Sequence, residues 1–191
     1  MAKNFERELP DGYKESLVID ATNKKLGIFL NLIAIVIAVI VVVIAVFVIK
    51  PKFKEFNFIH LITLSLGLLA YVVAHELAHG IAYKLLTREK LKFGMTLTVA
   101  FCGVPNIYVY RKTAMIALLS PFILFTLIFG GLMIFLPNSI FQFIFAILFG
   151  FHLGGCSGDL YNVFLYLFKF KDNDTLMQDT GPKQTFYVKS K

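Results

Sequence analysis

The sequence predicts an all-α membrane protein: four transmembrane helices, with a short membrane-associated β-hairpin between the second and third. Three observations lead there. Of 191 residues, 58% are hydrophobic and the mean hydropathy is +0.74, where a soluble domain carries about 45–50% apolar residues. Only 16% are charged, against about 25% in soluble domains. The apolar residues also fall in four runs, each long enough to cross about 30 Å of hydrocarbon, which takes about 20 helical residues.

The first run is Leu26 to Ile49, with Asn31 as its only strongly polar side chain. It begins too late and runs too long for a signal-peptide core and lacks a small-residue cleavage site, so it reads as a retained span. The second extends from Phe58 to about Leu86, the third from about Thr113 to Leu136, and the fourth from about Ser139 to Phe168. Pro137-Asn138 makes a tight turn between the last two. The membrane domain is therefore 26–168, flanked by polar segments 1–25 and 169–191. Ser16-Leu17-Val18-Ile19 and Thr185-Phe186-Tyr187-Val188 within those segments have the make-up of short strands, but neither end is large enough to be a domain of its own.

Between spans two and three, Met95, Leu97, Val99 and Phe101 alternate with Thr96, Thr98, Ala100 and Cys102, which is strand periodicity. Gly103-Val104-Pro105-Asn106 supplies a turn and Ile107 to Tyr110 resumes the alternation, giving a hairpin over 91–110. It is either a connector resting an apolar face on lipid or an edge that holds an extended peptide by strand addition.

The formal net charge is +7, but the basic residues track the span ends. Placing both termini in the cytoplasm puts sixteen of the nineteen Lys and Arg on that side, as the positive-inside rule requires. Nucleic-acid binding is the weaker explanation of the charge. Cys102 and Cys156 then lie toward the reducing side, where a structural disulfide is not expected.

One cluster departs from this pattern. His75-Glu76-Leu77-Ala78-His79 is an HExxH motif inside the second span, and ionisable groups in a span are functional by default. Residues four apart share a helix face, so both imidazoles can reach one metal ion. Glu76 lies beside the metal, placed to take a proton from an activated water and pass it to a leaving amine. Zinc accepts nitrogen and oxygen ligands and suits this task. Against that, the side chains could pair with one another, or the helix end could already be in water.

A catalytic zinc site needs a third protein ligand, and His60, His152, Cys156 and Asp159 are the candidates. At 1.5 Å per residue, His75 and His79 lie about 26 and 32 Å from the outer end of span two. Asp159 lies about 30 Å into span four, and His152 only about 20 Å. His60 is near the outer surface. Asp159 is therefore the expected third ligand. His152 is read as a polar partner in the bundle or a group on the water path. Asn162, one turn beyond Asp159, is a candidate to orient the carboxylate, to bind substrate or to make an interhelical hydrogen bond. Cys156 is read as a small buried thiol.

HELAHG late in one span, with Gly158-Asp159 in the last, resembles the membrane-embedded zinc metalloproteases of the site-2 protease type. Ala117-Leu118-Leu119-Ser120-Pro121 stands where those enzymes have a small-residue and proline motif. The whole chain is similar to DUF3267, a bacterial family of zincin-type peptidases, through Leu9-Pro10-Asp11-Gly12-Tyr13, HELAHG, Ser120-Pro121, Gly158-Asp159 and Gln178-Asp179-Thr180-Gly181. The resemblance implies a zinc peptidase of a bacterial cytoplasmic membrane that cleaves membrane proteins or peptides within or near the bilayer. Asp159 is preceded by glycine and followed by Leu160, so the fuller site-2 signature is absent, and no PDZ domain is inserted. Two other readings remain: a divalent-metal transporter, which lacks a second ligand set at another depth and an inverted repeat, and a noncatalytic membrane protein with a relic site, for which Glu76 would have no use.

Overall fold

The computed structural model describes residues 3–95 and 100–190. The elements run β1 (Phe5–Glu6), β2 (Tyr13–Asp20), α1 (Lys24–Ile49), α2 (Phe58–Thr87), β3 (Lys92–Met95), β4 (Ala100–Gly103), β5 (Tyr108–Tyr110), α3 (Arg111–Phe135), α4 (Ser139–Gly155), α5 (Ser157–Phe168), β6 (Leu176–Asp179) and β7 (Lys183–Lys189). Three helices, α1, α2 and α3, are long and apolar enough to cross a membrane, or four spans if α4 and α5 count as one broken span. The chain has the composition and helices of an integral membrane protein. It is not all-α.

Local chemistry sets the helix ends. Asn23, Asn57 and Asn138 each turn a side-chain oxygen onto the first amides of α1, α2 and α4, at 3.0, 3.0 and 2.8 Å, satisfying donors that have no partner inside a helix. The fourth apolar run is not one helix. It breaks at Cys156, within Gly154-Gly155-Cys156-Ser157-Gly158, where three glycines weaken helix propensity, and Asp159 falls in the first turn of α5.

By contacts the chain divides into two compact units, and α2 and α3 run unbroken through the boundary. The first unit holds Met1–Gly27, Glu76–Pro121 and Asp159–Lys191. Its frame is a five-stranded antiparallel sheet in the order β1-β5-β6-β7-β2. Both expected terminal strands are present, and they pair with each other: Leu17 opposes Phe186 and Val18 opposes Thr185. One face of the sheet packs Met177 and Phe186 against Tyr83, Leu118 and Tyr166 from the helices, all at most 2% exposed. These strands account for the departure from an all-α fold: each is 2 to 8 residues, too short to compete with the helical runs as a sequence signal.

The hairpin also differs from its expected form. Met95 pairs with Ala100 and Lys92 with Gly103, so β3 and β4 are its two arms; Thr96, Leu97, Thr98 and Val99, which the alternation places in a strand, lie outside the described residues. The second expected arm belongs elsewhere: Val109 pairs with Phe5 and Met177 in the larger sheet. Gly103 redirects the chain. A Cβ there would lie 2.4 Å from the Gly181 amide nitrogen, and the next amide, of Val104, donates to the Asp179 carbonyl at 2.8 Å.

The second unit, Ile28–His75 and Phe122–Gly158, is helical. Gly150 and Gly154 of α4 meet the backbone of Ala38 and Ala34 on α1; Cβ atoms at those glycines would lie 3.1 and 2.5 Å from the alanine carbonyl oxygens. Small residues four apart on both helices allow this approach. The rest of α1 turns large apolar side chains outward, Phe47 and Val48 at 74% exposure, as a lipid-facing helix does.

Candidate metal centre

Helix α2 carries Tyr71, His75, His79 and Tyr83 at intervals of four, a single face. His75 and His79 are buried and Glu76 is half-buried. In the first unit His79 Nε2 lies 3.3 Å from Asp159 Oδ2. The sequence-derived partner from the last helix is thus beside the second histidine. Two donors bonded to one zinc ion at about 2.0–2.1 Å in tetrahedral geometry are about 3.3 Å apart, so this pair is spaced for a shared cation. His75 stands one helical turn before His79 on the same unbroken helix. Asn162, one turn beyond Asp159 on α5, is 3% exposed.

The tautomer of His79 fits a ligand role. Its Nδ1 lies 2.9 Å from the Ala117 carbonyl, which can only accept, so Nδ1 carries a proton and Nε2 is the ring nitrogen turned toward Asp159. That carbonyl is available because of Pro121. In a helix the amide four residues on would occupy it, and proline has no N–H. Ser120 completes the arrangement, its hydroxyl donating to the Ala117 and Ala78 carbonyls at 2.8 and 3.1 Å. The Ser120-Pro121 pair therefore holds the acceptor that orients His79.

His75 is oriented by a different route, within the second unit. His152 Nε2 lies 3.2 Å from the Phe122 carbonyl, so Nε2 carries the proton, and the Thr126 hydroxyl oxygen at 3.1 Å shares it. The lone pair of His152 is then at Nδ1, where the Tyr71 hydroxyl donates at 3.1 Å. The Tyr71 oxygen in turn accepts from Nδ1–H of His75 at 3.0 Å. With a proton on Nδ1, Nε2 is the His75 nitrogen placed to act as a ligand. Depth counting set His152 about 10 Å short of the motif, but the fold brings a ring nitrogen of His152 within 4.8 Å of one of His75, with the Tyr71 hydroxyl bonded to both. His60 stays at the first turn of α2, where its Nδ1 accepts from the Asn57 amide at 3.2 Å.

Two further features escaped the sequence reading. Gly80 receives the hairpin: a Cβ there would lie 2.7 Å from the tip of the Phe93 ring and 3.3 Å from the Cys102 sulfur, so a larger residue would push these side chains away from the turn that follows His79. Tyr83, one turn beyond His79, donates to Asp179 Oδ2 at 2.7 Å, and the Gly181 amide donates to Oδ1 at 2.9 Å. Burial pushes the Asp179 carboxyl up to about 6, against the pull of those two donors. Asp179 lies in the Gln178-Asp179-Thr180-Gly181 stretch that carries part of the family resemblance, but nothing local to it points to the bond from Tyr83.

A histidine and a carboxylate at bonding separation, with a second histidine one turn away, make a donor set suited to a divalent cation. The chain belongs to the DUF3267 family: the family's sequence model, described as "Putative zincin peptidase", matches residues 68–174, more than half of the chain. The match includes α2 from Leu68 onward, the hairpin and all of α3, α4 and α5. Comparison with curated proteins and with solved structures gives no match.

Proposed function

We propose that this chain is a zinc-dependent intramembrane protease that hydrolyses peptide bonds of membrane proteins or membrane-associated peptides. His75, His79 and Asp159 hold the metal, and Glu76 is the general base. The observation that carries this reading is the 3.3 Å approach of His79 Nε2 to Asp159 Oδ2, which joins the HExxH helix to the carboxylate of α5. The hydrogen bonds made by Nδ1 of both histidines, which leave Nε2 as the nitrogen for a metal, support it as well. Two nitrogens and one carboxylate leave a position open for water, the pattern of catalytic rather than structural zinc sites.

Zinc, when bound, polarises the scissile carbonyl and brings the pKa of water to about 7. The chain supplies the rest. Glu76 takes the proton from the attacking water and returns it to the leaving amine. Packing of the hairpin on Gly80 sets β3 and β4 beside the helix turn that follows His79. Among the described residues β3 pairs only with β4 and is mostly exposed, and an unwound substrate segment adds along its outer edge as a further strand. Both chain ends join one sheet, which agrees with both termini in the cytoplasm.

The test uses wild type, Glu76→Gln and His79→Ala, purified in detergent, with bound zinc and cleavage of a membrane-peptide library as readouts. Glu76→Gln keeps zinc and loses cleavage; His79→Ala loses both. Folded wild type with neither zinc nor cleavage overturns the reading, and zinc flux into proteoliposomes without cleavage favours a transporter.

A further inference from the structure

The second unit holds a group of donors outside the proposed catalytic set. His75, His152 and Cys156 each offer a ligand atom within 4.8 Å of the others, and all three are buried. Cys156 and His152 are at 0% exposure. The Cys156 sulfur is 3.6 Å from His152 Nδ1, and donors sharing one tetrahedral zinc through bonds of about 2.0–2.3 Å sit about 3.3–3.8 Å apart. Nδ1 of both histidines faces the same Tyr71 oxygen, at 3.0 and 3.1 Å, so these are the nitrogens that converge. His152 has the outer bond expected of a ligand, since its Nε2–H is held by the Phe122 carbonyl, as the distal N–H of a metal-bound histidine nearly always is.

We propose that His75, His152 and Cys156 form a second site for a thiophilic divalent cation such as zinc, mutually exclusive with the first. The exclusivity follows from the one lone pair of a neutral imidazole. In the first set His75 binds through Nε2 and keeps its proton on Nδ1, donated to Tyr71. In the second it binds through Nδ1 and carries the proton on Nε2. Occupation of the second site releases the Cys156 thiol proton, shifts the His75 proton from Nδ1 to Nε2, and withdraws His75 from the first set. Two nitrogens and a thiolate select zinc, cobalt(II) or cadmium over magnesium or calcium. The second site is therefore inhibitory, and that consequence, unlike the site itself, rests on the catalytic reading above.

Cobalt(II) is the probe, because a cysteine thiolate bonded to it gives a near-ultraviolet charge-transfer band. In full-length His79→Ala, which lacks a donor of the first set only, excess cobalt produces the band. X-ray absorption then places one sulfur at about 2.3 Å from the metal. Cys156→Ser in that background abolishes the band and Cys102→Ser leaves it. If Cys156→Ser does not fold, the sulfur neighbour in His79→Ala/Cys102→Ser decides, since Cys156 is then the one thiol left. Absence of a sulfur neighbour there, or a band that survives Cys156→Ser, overturns the site. For the inhibitory role, the zinc concentration that half-inhibits cleavage rises at least about tenfold in Cys156→Ser relative to wild type; an unchanged value overturns that role. Wild type that never cleaves would sink the catalytic reading and leave the sulfur result standing.

Discussion

Pro121 acts through the hydrogen it lacks. The Ala117 carbonyl has two lone pairs and already accepts from His79 Nδ1 at 2.9 Å and Ser120 Oγ at 2.8 Å. Pro121→Ala would return a third donor, the helical amide, to the same oxygen. Helix α3 itself gains, since proline inside a helix costs about 3 kcal/mol. The expected outcome is a split: the midpoint of thermal unfolding does not fall, while zinc affinity drops about 10–100-fold, the usual cost of losing a group that orients a ligand. Equilibrium dialysis with zinc on both proteins checks it, and equal affinities would refute the role given to the proline. HExxH is legible in the sequence because its spacing is the helix repeat and needs no other part of the chain. Ala117 was not, since its backbone oxygen carries no residue identity and its use depends on a missing N–H four positions on. Tyr71 was legible in principle: it continues the interval of four that links His75, His79 and Tyr83.

At the scale of elements, the helices and the terminal strands were readable, and the pairing that joins the strands into one sheet was not. A lipid environment demands about 20 apolar residues for each crossing, which marks a span without reference to anything else, and α1, α2 and α3 fall within two residues of the expected runs. Strands β1 and β6 have 2 and 4 residues and gain their identity only from partners distant in the chain, while β5 shows its alternation in the sequence but pairs with β1 and β6 rather than within the hairpin. Packing between helices lies between these cases, since glycines are visible in the sequence but their neighbours are not. Gly154 meets α1 backbone, with a Cβ only 2.5 Å from the Ala34 oxygen, while Gly130 has nothing within 4 Å. Backbone cannot move aside as a side-chain tip can. Gly154→Leu therefore separates α1 from α4 and destabilises by about 1–3 kcal/mol or more, the usual range for overpacking. Gly130→Ala leaves stability within about 0.5 kcal/mol. Thermal unfolding in detergent of the two variants measures the difference, and equal midpoints would exclude the α1–α4 contact.

For the whole molecule, the informative segment is the polar tail, which by composition looks peripheral. Strands β6 and β7 are interior to the five-stranded sheet, so they join the β1-β5 end to β2. Without the tail, β2 loses its partner β7 and β5 keeps only β1. The tail reaches α2 twice, once directly and once through the hairpin. Asp179 accepts from Tyr83, one turn past His79. Gly181, at φ +99, lies under the Phe101 ring of the hairpin, where a Cβ would be 2.1 Å from the ring, and the hairpin in turn rests on Gly80. A chain stopped after Asn173 thus loses sheet, hairpin support and the Tyr83 anchor together. Two consequences are expected. Limited proteolysis cuts the truncated chain within its first 23 residues and in the hairpin, where the full chain resists, and the spans remain intact because lipid or detergent holds them. Zinc content falls well below that of the full chain even though His75, Glu76, His79 and Asp159 are all retained. If the truncated protein instead binds zinc as fully as wild type and digests in the same pattern, the ligand helix is held by its spans alone and the sheet has no part in positioning the site.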